Sequence, residues 1–230
     1  YITIHGTPGE DGILQGYFDL LKIPYSTCSL LVEALTFNKF ALNNYLKGFG
    51  VRVADSILLR KGKQVDAKGV TKCKTVADIL PAIEKAMGEW DEVMIESMIE
   101  GTEISNGVFK KNGEVCVLPI TEVVPKTEFF DYDAKYNGAV EEITPARLSE
   151  DTTKRVQALT GSIYDILGAS GIIRIDYIIS KDEKGADVIN MLEINTTPGM
   201  TATSFIPQQV RAAGMEMKDV LNEVISEKLG

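Results

Sequence analysis

The chain has 230 residues, enough for one large domain or two small ones. It is 44% hydrophobic and 25% charged, the balance of an ordinary globular protein. A formal net charge of −9 excludes broad electrostatic binding to nucleic acid or to an anionic membrane, while leaving room for local positive sites that take a phosphorylated ligand. No apolar run reaches membrane-spanning length. Cys28, Cys73 and Cys116 are far apart, odd in number and lack metal-ligand spacing, so reduced thiols in a cytoplasmic protein are expected.

Alternation over Tyr1-Ile2-Thr3-Ile4 predicts a strand at 2–5 with no neighbouring strand to pair with, and hence sequence missing ahead of it. His5 then opens a loop containing Gly6, Gly9 and Gly12, whose amides can face a ligand. The loop matches neither the dinucleotide fingerprint nor the phosphate loop. Glu10 and Asp11 would repel a phosphate, so a small zwitterion fits it better. A helix is predicted over 13–22 with Asp11 as N-cap, and a short extended piece over 23–25. A second helix, 33–47, carries Lys39 among Phe37, Phe40 and Leu42 and stops at Gly48 or Gly50. Residues 51–59 have strand character.

The stretch 61–74 is too polar for a core element, and either a basic loop or a deletion accounts for it. A helix over 75–87, bent at Pro81, leads to a strand over 92–99. At the end of that strand, backbone groups around Glu96, Met98 and Ile99 can meet a purine, and Glu103 can accept from two ribose hydroxyls. Asn112-Gly113 marks a hairpin with arms at 103–111 and 114–123. An aromatic-acidic loop at 129–136 has the character of a lid edge, with Lys135 placed to meet a phosphate. Ser149 caps a helix ending at Leu167-Gly168, and the chain finishes helical from Pro207 with a break near Gly214.

Between these helices, 171–200 forms two β-branched runs about the polar turn 181–185. Antiparallel pairing about that turn sets Asp176 opposite Glu193 and Arg174 opposite Asn195, all on one face. Two carboxylates at ladder distance repel unless a cation lies between them. Three oxygen ligands without histidine or cysteine suit a hard cation, magnesium above all. The plain alternative is a hairpin with one solvated face. Ile172 and Ile178 on the charged face, and the rigid turn Asn195-Thr196-Thr197-Pro198-Gly199, favour the metal.

HGTPGEDGILQG at 5–16, FFDYDAKY at 129–136, RIDY at 174–177 and LEINTTPGMTATS at 192–204 together resemble the D-alanine–D-alanine ligase family. The resemblance runs over most of the chain, with Tyr177 standing where the family usually has an aliphatic residue. It implies an α+β fold of ATP-grasp type, divided as the end of an N-terminal domain (1–31), a central domain (32–95) and a C-terminal domain (96–230). It implies a cytoplasmic, ATP-dependent enzyme that joins two D-alanines through an acyl phosphate, with no nucleic-acid or membrane partner and with a homodimer allowed. Asp176, Glu193 and Asn195 would hold two magnesium ions, with manganese as a substitute. Arg174 and the Gly199 amide would meet an oxyanion. Lys39 and Lys135 would contact ATP phosphates, and Glu96, Met98, Ile99 and Glu103 would line the adenosine site. Ser204 would bind the second D-alanine's carboxylate, and His5 would lie near substrate. Tyr136 marks members that make a peptide and not an ester. The family's first hundred or so residues have few counterparts here, and neither the strand bearing its ATP lysine nor its glycine- and serine-rich loop is found near 67–70, so a longer parent protein is expected. Open alternatives are another ATP-grasp carboxylate–amine ligase and a nucleotide-binding module without catalysis.

Overall fold

Strand pairing sets the layout of this molecule, whose computed structural model describes residues 1–60, 73–125 and 140–229. Six antiparallel strands form the main sheet: β3 (Thr102–Lys111), β4 (Glu114–Val117), β5 (Thr121–Pro125), β6 (Val140–Ile143), β7 (Ile173–Lys181) and β8 (Asp187–Asn195). Their order is β6-β5-β3-β7-β8, with β4 also on β3. Two further strands, β1 (Ser56–Arg60) and β2 (Glu92–Glu96), pair antiparallel by themselves.

The β3–β4 hairpin turns at Asn112 (φ 52°) and Gly113 (φ 81°), the left-handed pair that matches the twist of the flanking strands. The predicted second arm is broken in two: β4 ends with the Leu118 amide donating to the Gly107 carbonyl (2.9 Å), and pairing with β3 resumes as β5 at Thr121, opposite Ser105. Helix α5 (Glu150–Leu167) starts where Ser149 Oγ accepts from the Thr152 amide (3.1 Å) and ends at Gly168 in the left-handed conformation, as predicted. Glu150 and Asp151 oppose the dipole in its first turn. Its stripe Val156, Ile163, Tyr164 and Leu167 packs on Ile173, Ile175, Tyr177 and Ile179 of β7 to form the main core. The opposite sheet face meets α6 (Phe205–Ala212) and α7 (Met217–Leu229), where Phe109 and Ile172 join Ile206, Val210, Val220 and Val224.

Several expectations are corrected. Residues 2–5 are extended but carry no ladder, and the Ile2 amide donates instead to Ser26 Oγ (2.9 Å). The first helix, α1 (Ile13–Leu21), is capped by Gly12, with Asp11 Oδ1 accepting from the Ile13 amide (3.0 Å). The single helix over 33–47 is two, α2 (Leu30–Phe37) and α3 (Lys39–Lys47), because Asn38 is extended and its Oδ1 accepts from the Ala41 amide (2.9 Å) as a fresh N-cap. Pro81 does not bend a helix: a 3-10 turn (Val76–Asp78) comes first, and α4 (Ile79–Ala86) places Pro81 in its first turn, where no amide is required. The strand over 51–59 shrinks to β1, while Val53 makes one parallel bridge to Met191.

Candidate active site

Strand β7 sends its odd-numbered residues to the core, so Arg174, Asp176 and Ile178 take the other face. Strand β8 has a harder task. Ile189 and Met191 pair with Ile179 and Tyr177 and belong to the core side, so strict alternation would carry Glu193 and Asn195 into the core as well. A register shift between Asp176 and Tyr177 prevents this: Leu192 is left without a partner, and the pairing resumes as Asp176 with Glu193, Ile175 with Ile194 and Arg174 with Asn195. The bulge therefore delivers both polar side chains to the face of Arg174 and Asp176. Sequence pairing gave these two cross-strand partners correctly but missed the bulge.

Asp176 is 4% exposed. Its Oδ1 accepts from Ser105 Oγ on β3 (2.6 Å) and Arg174 Nε (3.0 Å), and its Oδ2 accepts from an Arg174 terminal nitrogen (2.8 Å). Burial works against the Arg174 charge, but Asp176, then Glu193 and Glu103, outweigh it and raise the guanidinium pKa above its ordinary value. Phe205 at the start of α6 lies 5.3 Å beneath the guanidinium carbon. The donor set of two carboxylates and a carboxamide is hard, while among the described residues no three His, Cys, Asp or Glu side chains gather in one place, this face included. Oδ2 of Asp176 keeps a lone pair free, since each carboxylate oxygen accepts two bonds and here receives one. That oxygen and the half-buried Glu193 across the ladder are the kind of hard donors a divalent ion takes.

Beyond β8 the chain turns sharply. Asn195 Oδ1 accepts from the Thr197 amide (3.0 Å), and the Thr196 hydroxyl donates a short bond to Glu33 of α2. A Cβ on Gly199 would stand 2.9 Å from Ser204 Oγ, so a side chain there would have to push aside the hydroxyl at the N-cap of α6. Ser204 Oγ also pairs with Thr201 Oγ1 (2.8 Å).

A groove of about 210 Å³ opens beside this turn. Glu10 of the glycine-rich loop, Lys39 of α3, and Glu193, Asn195 and Thr196 line it. Lys39 Nζ reaches Glu96 at the end of β2 (2.8 Å), so two residues expected at a nucleotide meet each other at the groove's edge. Met98 is exposed and Ile99 half-buried just beyond, while Glu103 lies on β3 opposite Ile178. His5 is 60% exposed, its Nδ1 3.3 Å from Glu10 Oε1, and the Gly6 amide donates to Glu10 Oε2 (2.7 Å). Glu10 thus folds back on its own loop. Lys135 and Tyr136 lie outside the described residues. Sequence reading missed Ser105 and Glu33, the first because it comes from a third strand, the second because an acid inside Leu30-Leu31-Val32-Glu33-Ala34-Leu35 announces burial but no partner.

The family described as "D-ala D-ala ligase C-terminus" matches residues 58–226. A D-alanine–D-alanine ligase of Phocaeicola vulgatus is 61% identical over 99% of this chain and 76% of its own length, and one of Bacteroides fragilis 57% over the same shares. The match to the Phocaeicola protein extends over 249 positions against the 230 residues here, so within it that protein has residues this chain lacks. Among solved structures, a Bacillus anthracis D-alanine–D-alanine ligase complexed with ATP superposes with a TM-score of 0.82 at 30% identity, covering 98% of this chain and 77% of its own.

Proposed function

The chain belongs to the D-alanine–D-alanine ligase family, and we infer that it joins two molecules of D-alanine to D-alanyl-D-alanine with hydrolysis of ATP, a step in peptidoglycan synthesis. Its fold is ATP-grasp. The single observation that carries the site assignment is the face shared by Arg174, Asp176, Glu193 and Asn195 beside a groove that also holds Lys39.

In the reaction, the carboxylate of one D-alanine attacks the γ-phosphorus of ATP and releases ADP, leaving an acyl phosphate. The amine of the second D-alanine then adds to the acyl carbon, loses a proton and expels phosphate. Asp176, Glu193 and Asn195 would hold magnesium, two ions in this proposal, and bound magnesium neutralises charge on the reacting phosphates. Arg174 and the Gly199 amide donate to the oxygen that becomes negative when the amine adds. The guanidinium is fixed in advance by Asp176 and Phe205, so it does not reorganise at that moment. Lys39 meets phosphate from the groove edge by sharing its charge with Glu96, and Lys135 joins it in this proposal. Glu96, Met98, Ile99 and Glu103 take the adenosine, Ser204 the carboxylate of the second D-alanine, and His5 the neighbourhood of the first. Tyr136 is assigned to peptide and not ester formation. The domain division 1–31, 32–95 and 96–230, a cytoplasmic setting and a homodimer belong to the same proposal.

Phosphate release measured with ATP, magnesium and D-alanine tests this. Release that requires D-alanine is the expected result. Nucleotide binding with no D-alanine-dependent turnover would leave a binding module and overturn the assignment.

A further inference from the structure

Glu33 is a carboxyl group with 0% exposure that no step above employs. It projects from α2, between the core residue Val32 and Thr36. Its Oε2 accepts from the Thr196 hydroxyl, while its Oε1 is buried without a hydrogen-bond partner. The Thr27 hydroxyl and the Cys28 amide lie beside it and favour its charge. Thr27 in turn accepts from Gln15 Nε2 (2.9 Å), which also donates to the Gly9 carbonyl (2.8 Å) of the glycine-rich loop. A buried polar chain thus runs from Gly9 through Gln15, Thr27 and Glu33 to Thr196. Thr196 follows Asn195 directly, and Asn195 spends its carbonyl oxygen on the Thr197 amide one residue beyond. A core residue there would ordinarily be apolar, since a buried carboxyl is expensive, and this one takes the hydroxyl of Thr196, the first residue after β8.

Resting on the ligase reading, we propose that Glu33 is a positioning residue: by holding Thr196 it fixes the 195–199 turn, and with it the Asn195 carboxamide that faces the metal and the Gly199 amide that faces the reacting carbonyl. Groups one bond removed from a metal ligand commonly change metal affinity or activity by roughly 10–100-fold when lost.

The test uses the full chain in four variants: Glu33→Gln, Glu33→Leu, Thr196→Val and the double variant Glu33→Leu/Thr196→Val. Two quantities are measured, steady-state kcat and KM, and Mn²⁺ affinity by electron paramagnetic resonance with a non-hydrolysable ATP analogue, with circular dichroism confirming the fold. Glu33→Gln keeps an acceptor for Thr196 and is expected to stay within about threefold of wild type in both. Glu33→Leu and Thr196→Val are each expected to lower kcat and Mn²⁺ affinity by about tenfold or more, with KM for D-alanine moving less. Because both break one contact, the double variant should be no worse than either single one. Folded Glu33→Leu with wild-type kcat and Mn²⁺ affinity would overturn the proposal. So would a Glu33→Leu that fails to fold together with a Thr196→Val that behaves as wild type, since Glu33 would then serve only the core. If wild type shows no D-alanine-dependent turnover, the ligase reading fails separately, and the Mn²⁺ arm still decides the role of Glu33.

Discussion

Glu193 and Glu33 are both glutamates near one turn, and their surroundings give them opposite work. Glu193 is half-buried and faces Asp176 across the ladder, where two negative charges call for a cation. Glu193→Gln keeps the shape and removes the charge, so turnover is expected to vanish while the melting temperature changes by no more than a few degrees; wild-type phosphate release in that variant would end the metal assignment. Glu33 is held up to about 7 from an ordinary 4.5, chiefly by burial, against the hydrogen bonds of Thr196, Thr27 and the Cys28 amide, and with Glu10 adding to the rise. A carboxyl whose folded pKa is raised contributes stability that is fully present below about 4.5 and is lost as pH climbs through about 7. The loss is on the order of a few kcal/mol. Glu33→Gln does not titrate, so melts of both proteins at pH 5 to 8 should show wild type losing ground to the variant over that window. Parallel pH profiles would show that Glu33 is charged throughout. The acid at 193 was legible in the sequence because its strand partner is fixed by a local turn. The acid at 33 was not, because Thr196 lies 163 residues away and only the fold brings them together.

At the scale of elements, the site depends on a bulge that touches none of the chemistry. Leu192 is the extra residue of the β8 bulge, and because the bulge absorbs it Glu193 lands on the face opposite Met191. Deleting it would set Glu193 directly after Met191, so plain alternation would keep Glu193 and Asn195 on the Asp176 face in a regular ladder with the same partners. The deletion is expected to fold and to keep metal-dependent thermal stabilisation, as followed by circular dichroism. A folded deletion variant that loses this stabilisation would show that the bend of the bulge, and not the face alone, sets the site. The α5 helix and the 112–113 hairpin were legible because their caps and turn residues are local signals. The break at Asn38 was available as an Asn N-cap inside a long helical pattern, and amphipathic spacing concealed it. The bulge has no such local signature, since the runs on either side of Leu192 each alternate correctly and only the register across the hairpin exposes the mismatch.

Across the whole molecule, a net charge of −9 stands against a substrate that is itself a polyanion. Long-range attraction cannot gather ATP here; binding has to come from a few cations at contact distance, Lys39 and Arg174 among the described residues near the groove, and each already shares its charge with Glu96 or Asp176. In the proposed mechanism a divalent ion changes the balance, because it would meet the phosphates and the acids at once. The two ligands should therefore act together on stability. At about a hundred times the dissociation constant, a ligand that binds only the folded chain adds about 2.7 kcal/mol, which corresponds to a rise in melting temperature of roughly 5–10 °C for a chain of this length. That rise is expected with ATP and magnesium together. ATP with EDTA should give much less, because unneutralised phosphates would then face Asp176 and Glu193. Glu193→Gln should blunt the joint effect even though it removes a negative charge, which by simple repulsion ought to help ATP bind. That opposition of signs makes the measurement decisive: a larger shift in Glu193→Gln, or an equal one with EDTA, would mean that the carboxylate pair repels the nucleotide and does not hold its metal.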